Sequence, residues 1–377
     1  MKLESYILND FFNILNEIGA NYCVMNNYTE MPEVIPTDVD FAIDKETFAS
    51  LDSLIIYLAN KHNVSVTQKI WHGYNKCAYI LSPLKTERFF WLQLDFFVDF
   101  CAQGFPNLMP VSNMLNNKKQ YKNFHVPMPE VEAPFIIQRR IIKGDMKLAH
   151  LEILSKLYIQ SEKKVSKAII DTYGVDLGNL LMKTIELKKI DIFNNNFKLF
   201  RKSLKQVSNK NSNVKYKFNY YFNQVKRGGY RLFYPTGMSI AIVGNDLEEQ
   251  KKFINIIESR ISGSFHGTKN NSFVTYIKYL KLLWFSIYWS KVTKKTVYVN
   301  LSMRDKNWSV FFNSLLVRRL RLCSDVIISY SSNLFDSQDY LNSISYQILK
   351  FQSDKTMKHL NSKFSQTSGV KFKNFKK

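Results

Sequence analysis

With 377 residues, 45% of them hydrophobic and 15% aromatic, the chain carries too much apolar material to be disordered and is too long for one compact core. Its 53 Lys and Arg against 31 Asp and Glu give a formal charge of +22, which favours polyanionic partners: nucleic acid, anionic membrane or phosphorylated substrates. The four cysteines (Cys23, Cys77, Cys101 and Cys323) lack Cys-x-x-Cys spacing, which argues against zinc sites and a disulfide framework and for a reducing compartment.

Residues 1–5 lack the apolar core of a signal peptide. No apolar run of about 18 residues is present to span a membrane. A cytoplasmic protein is therefore expected, with any membrane contact peripheral and at the inner face. Residues 5–18 carry apolar positions at helical spacing and predict a first helix ended by Gly19. A strand around Cys23 follows. It leads to Thr37-Asp38-Val39-Asp40-Phe41-Ala42-Ile43, where period-two alternation sends Asp38 and Asp40 to one face and their apolar neighbours to the other. Residues 46–61 read as an amphipathic helix with Leu51, Leu54, Ile55 and Leu58 on one face.

Three further strands are expected over 64–70, 76–81 and 87–100. The last contains Phe90-Trp91-Leu92-Gln93-Leu94-Asp95-Phe96-Phe97, so Asp95 sits in the same apolar context as Asp40. Asp-x-Asp pairs also occur at strand ends as simple caps, but burying an unpartnered acid costs several kcal/mol. Two neighbouring carboxylates also raise each other's pKa unless a cation lies between them. A three-carboxylate site would suit Mg²⁺, which takes hard oxygen ligands. Asp99, four residues on and on the same face, is the rival for the third position. A helix between strand pairs indicates a mixed sheet with helices on one side.

Tyr22-Cys23-Val24-Met25-Asn26-Asn27-Tyr28 leading to Met31-Pro32, then Thr37-Asp38-Val39-Asp40 and Leu94-Asp95-Phe96, resembles the nucleotidyltransferase fold of the DNA polymerase β superfamily. The resemblance implies that Asp38, Asp40 and Asp95 bind Mg²⁺, as two ions and with Mn²⁺ as a substitute. It implies further that Asp95 polarises the attacking hydroxyl. A nucleoside triphosphate and a sugar, glycan or small-molecule acceptor are the implied partners. The family has Gly-Ser before the acids to hold the triphosphate. Here Asn26 and Asn27 stand in that place and, with Lys85 and Arg88, are the expected substrate-binding residues. The departure removes the close backbone approach that Gly allows.

After Pro127-Met128-Pro129 the pattern turns helical, over 133–157 and over 163–187 with a turn at 174–178. Residues 193–226 are rich in Asn and Lys, with Phe197, Phe200, Tyr216, Phe218, Tyr220, Tyr221 and Phe222 interleaved. Such a segment either binds single-stranded nucleic acid by charge and stacking or, as expected here, forms a helical connector that packs its aromatics.

A second α/β pattern begins near Arg231, with a strand over 238–244 and a helix over 247–261. Arg231-Leu232-Phe233-Tyr234-Pro235-Thr236-Gly237 with Ile240-Ala241-Ile242-Val243-Gly244-Asn245-Asp246 resembles the start of thymidylate-kinase-like P-loop domains. Gln250 falls at the position of the family's Lys, Glu248 and Glu249 replace small loop residues, and Asn300-Leu301 stand for its downstream Asp-Arg. Coulomb repulsion from the two Glu works against ATP, so this half reads as a pseudokinase; Lys251 would rescue it only by a one-residue slip. Residues 276–292 form an aromatic, Lys-flanked helix candidate, either a core helix or one lying in a membrane interface. Residues 363–377 form a basic tail.

The expected organisation is an α/β multi-domain chain. Residues 1–130 form a mixed-sheet nucleotidyltransferase-like domain, 131–230 a helical middle region, and 231–362 a parallel-sheet, degenerate kinase-like domain. This order resembles fused proteins of bacterial surface-polysaccharide gene clusters. The implied function is metal-dependent nucleotidyl or related phosphoryl transfer to a hydroxyl. The alternatives are an inactive basic scaffold in a glycan-assembly or membrane-associated complex and a nucleic-acid-modifying nucleotidyltransferase, although no recognition element for specific nucleic acid is evident.

Overall fold

A computed structural model describes the chain except at residues 1, 74, 84–88, 103, 234–236, 245–246, 262–267, 274–287, 289–295, 303–324, 330–337 and 365–377. It is α/β, with a five-stranded mixed sheet, a four-stranded sheet and two two-stranded ribbons among the described residues. Two compact units are formed, one from Met1–Leu51, Trp71–Cys77 and Leu94–Lys226, the other from Asp52–Ile70, Ala78–Gln93 and Arg227–Lys377.

Helix α1 (Leu3–Glu17) buries Ile7, Leu8, Phe11, Phe12, Ile14 and Leu15, and Gly19 ends it with a φ of 67° that only glycine adopts freely. Strand β1 (Tyr22–Met25) pairs antiparallel with β2 (Val39–Ile43). Asp44 then caps α2 (Lys45–Lys61), accepting from the Thr47 backbone N–H at 2.8 Å. Strands β3 (Val64–Gly73), β4 (Lys76–Pro83) and β5 (Leu92–Phe97) complete the sheet order β1-β2-β5-β4-β3. The pairing of β2 with β5 is parallel and sets Asp40 opposite Asp95 and Phe41 opposite Phe96. The two rings stack at 4.9 Å, and Phe11 of α1 meets both edge-on. One face of this strand pair is thus an aromatic layer and the other carries the acids.

The strand expected over 87–100 is shorter and broken: the Val98 N–H turns to the Asn75 carbonyl at 2.9 Å. A new strand, β6 (Asp99–Ala102), then pairs antiparallel with β7 (Phe105–Pro110). Helix α3 (Val111–Asn116) and the ribbon of β8 (Lys118–Tyr121) and β9 (Phe124–Pro127) follow. The helix expected over 133–157 is two helices. The first, α4 (Pro129–Lys143), begins with proline at its first turn, where the missing N–H costs nothing. It stops at Gly144, whose left-handed backbone returns its N–H to the Arg140 carbonyl. The second is α5 (Leu148–Gln160).

Helices α6 (Glu162–Tyr173) and α7 (Val175–Leu187) divide at Gly174. Then come α8 (Ile190–Lys210) and α9 (Val214–Phe233). Helices α4 to α8 share a core that includes Phe135, Ile137, Leu151, Leu154, Ile169 and Phe200. The same core takes in Ala42 and Phe97 from the acid-bearing face of β2 and β5.

The second unit contains a parallel sheet of β10 (Ser239–Gly244), β11 (Thr268–Phe273), β12 (Thr296–Ser302) and β13 (Val326–Ser329), in the order β11-β12-β10-β13. Helices α10 (Leu247–Ile261) and α11 (Gln338–Phe364) bury Phe253, Ile257, Ile344 and Ile348 with Ile240 and Ile242. Among the described residues no helix is long and apolar enough to cross a membrane.

Gly178 of α7 lies so close to α6 that an added Cβ would sit 3.1 Å from the Ile170 Cα. Gly178→Val is expected to cost about 1–3 kcal/mol by overpacking. Gly228→Ala, in α9 with open space around it, is expected to add about 0.5–1 kcal/mol through helix propensity. Urea unfolding midpoints of the two variants should move in opposite directions.

Candidate functional site

Asp38 precedes β2, Asp40 lies within it and Asp95 lies opposite on β5. One carboxylate oxygen from each comes within 4.8 Å of the others. Asp40 and Asp95 are each only 5% exposed, whereas Asp38 is half-buried. Like charges this close and this dry repel strongly, and the fold answers with cations. Arg139 of α4 donates to Asp40 Oδ2. Lys76, at the start of β4, places its Nζ 3.6 Å from Asp95 Oδ2. Burial alone would raise the Asp40 pKa, but Arg139, Lys76 and hydrogen bonds from Arg139 and Asn26 outweigh it and hold the carboxyl below its ordinary value of 3.8. Burial likewise works against the charge on Arg139, yet Asp40, Asp38 and Asp95 together hold its pKa above the usual arginine value. Lys143, one turn further along α4, also feels Asp38, although burial lowers its pKa.

Asn26 and Asn27 follow β1 directly, with φ of 61° and 45°. Asn is the residue besides glycine that most readily enters this left-handed region. The two asparagines thus supply backbone geometry that Gly would normally provide. Asn26 Nδ2 donates to Asp40 Oδ2 at 3.2 Å. The next residue, Tyr28, donates its hydroxyl to Glu132 of α4 at 2.7 Å, which ties the β1 turn to the helix that carries Arg139. Burial raises the Glu132 pKa to about 7 in spite of that bond.

Asp99 stands apart from the cluster. It accepts from Asn75 at 2.9 Å and from the Tyr216 hydroxyl at 3.2 Å, and so braces β6 against α9. Lys85 and Arg88 lie outside the described residues. Among the described residues, the cations that act on the acids are Lys76, Arg139 and Lys143, which the sequence reading missed. The signal for Arg139 was present: an Arg139-Arg140 pair inside an otherwise apolar helical run needs acids to meet it. Lys76 has no comparable signal, since lysines are abundant throughout the chain.

In the second unit, Gln250 is buried in α10, and Lys251 is held by Glu248 at 2.6 Å on the exposed side of the helix. Asn300 and Leu301 lie on β12, in register with Ile242 and Val243 of β10. Residues 245–246, 276–287 and 289–292 are outside the described residues.

No protein-family model, curated protein or solved structure matches the chain.

At neutral pH, Arg139→Met leaves Asp40 buried without its main counter-charge, and a loss of about 3–5 kcal/mol is expected. Because the folded Asp40 pKa is depressed, its stabilising contribution is complete above 3.8, the ordinary value, and is lost as pH falls through the folded value. In the variant the orphaned carboxylate takes up a proton at higher pH, so the gap from wild type should narrow on acidification. Urea unfolding across a pH series measures that gap. A constant gap down to about pH 3 would mean that Arg139 acts through packing alone.

Proposed function

We propose that the chain is a metal-dependent nucleotidyltransferase, or a related phosphoryl transferase, that acts on a hydroxyl of a sugar, glycan or small-molecule acceptor. The observation that carries this reading is the register pairing of Asp40 with Asp95, with Asp38 inside the same 4.8 Å cluster. The donor set would suit Mg²⁺ or Mn²⁺: every donor is a hard carboxylate oxygen, and the three come within 4.8 Å of one another. Asp38 and Asp40 with Asp95 would hold the ion, which supplies charge neutralisation for a triphosphate.

The chain's own residues supply the rest. Asp95 orients and polarises the attacking hydroxyl. Lys76, Arg139 and Lys143 form a cationic rim for phosphate oxygens, and guanidinium is suited to bind these bidentately. The left-handed turn at Asn26-Asn27 presents side-chain amides where the resembling family uses Gly-Ser. The +22 charge draws anionic substrates in general. The likeness to fused proteins of surface-polysaccharide clusters supports a glycan-related acceptor.

One observation favours a second reading, that of a catalytically inactive scaffold. Arg139 already balances Asp40, so the acids are tolerable with no ion at all. Measuring Mn²⁺ binding by calorimetry separates the two, followed by a panel of nucleoside triphosphates with Mg²⁺. Asp40→Asn and Asp95→Asn should each abolish Mn²⁺ binding and lower turnover on the order of 10³-fold, as loss of several kcal/mol of charge stabilisation requires. Absence of Mn²⁺ binding, or Mn²⁺ binding that ignores both substitutions, together with no turnover of any nucleotide, would favour the scaffold.

We also infer that the second unit does not turn over ATP. Phosphoryl transfer in P-loop kinases depends on a Lys and a loop free of negative charge. Gln250 is buried here and Lys251 is engaged by Glu248. Lys251→Ala should therefore leave the nucleotide affinity of the full chain unchanged. A loss of ATP affinity on that substitution would show that the slipped lysine works.

A further inference from the structure

We propose that α9 is a membrane-docking helix that lies in the surface of an anionic lipid bilayer, independently of the carboxylate site. Val214, Phe218, Tyr221, Phe222 and Val225 are between 54% and 85% exposed. At 3.6 residues per turn they fall within roughly a 100° arc. They form one continuous apolar stripe three turns long, and Phe218 and Phe222 stack along it at 6.2 Å. The opposite side of the helix is fixed to its own unit. The Tyr216 hydroxyl donates to Asp99 at 3.2 Å and the Tyr220 hydroxyl to the Ala102 carbonyl at 2.8 Å. The orientation of the stripe is therefore set by the fold.

Charge identifies the occupant. Helix α9 contains no Asp or Glu, and Lys215 and Lys226 border the stripe on one side and Lys217 on the other. A helix with an aromatic stripe between lysine borders, and with no acid, suits an anionic interface: the rings enter the acyl boundary while the ammonium groups reach lipid phosphates. A second copy of this chain fits worse, since two lysine-bordered stripes would bring like charges together. Single-stranded nucleic acid fits worse as well. It needs rings set in a basic groove, whereas here the rings share a convex helix face with two valines.

The test uses the full chain and two vesicle preparations, phosphatidylcholine mixed with phosphatidylglycerol and phosphatidylcholine alone. Co-sedimentation should occur with the first and not the second, and should weaken as salt is added. The double variant Phe218→Ser/Phe222→Ser should lower the apparent association by about tenfold or more. The double variant Lys215→Gln/Lys226→Gln, which keeps the stripe, should also lower it by about tenfold or more. Both replace exposed residues, and unchanged far-ultraviolet circular dichroism would show that the fold is kept.

Absence of vesicle binding would overturn the proposal. So would binding that both variants retain at wild-type strength, which would put the anchor elsewhere in the chain. Tighter binding of single-stranded RNA than of vesicles, lost with the same phenylalanines, would overturn it in favour of nucleic acid.

Discussion

Two aspartates directly opposite one another on adjacent parallel strands, both nearly out of water, form an arrangement that a sheet does not tolerate unaided. The parallel register of β2 and β5 imposes it, and that register is locked from the other face. One residue further along each strand, Phe41 and Phe96 stack under the edge of Phe11. A slip of one residue would drive the acids into the aromatic layer and the rings toward the charges. Hydrophobic packing thus fixes an electrostatic problem in place, and the surrounding architecture is arranged around its solution.

That solution comes from far away in the sequence. Arg139 belongs to α4, whose apolar positions lie in the helical core shared with α5 to α8, and the same core takes in Ala42 and Phe97 beside the acids. The acid face of the sheet and the helix that neutralises it are therefore parts of one packing unit. The Tyr28–Glu132 hydrogen bond adds a second tie between the β1 turn and α4. The electrostatics of the site are complete only once the helical layer has docked.

This division explains what could be read from sequence. The acids were legible because local pattern reports burial: Asp40 and Asp95 interrupt runs of apolar residues that leave them no solvent face. The α1 and α2 spans, the α/β character and the strand–helix pattern at β10 and α10 follow from the same periodicity. The break at Val98 was not legible, since no Gly or Pro marks it and its cause is a backbone hydrogen bond to Asn75. Gly144 did signal the end of α4, but a run of helix formers on both sides masked it. The Arg139-Arg140 pair showed that acids must meet it, but not that the partner of Arg139 is Asp40 about a hundred residues away, and nothing set Lys76 apart among 53 Lys and Arg. For the connector aromatics the sequence was half informative. Phe193 and Phe200 are core residues, while Phe218 and Phe222 face outward, and only the register of each helix separates them.

Arg139 holds Asp40 through Oδ2, which makes the guanidinium a resident competitor for any cation that would take that oxygen. For a cation that used that oxygen, the affinity measured would be the intrinsic one scaled by the fraction of molecules in which Arg139 is away. Linkage is reciprocal: whatever draws Arg139 off Asp40 tightens cation binding by the same factor that the cation tightens the other interaction. A phosphate group is such an agent, because it offers the guanidinium a rival pair of oxygens. Cation and phosphate ligands at this position would therefore bind with positive cooperativity even if they never touched, each vacating the seat the other needs.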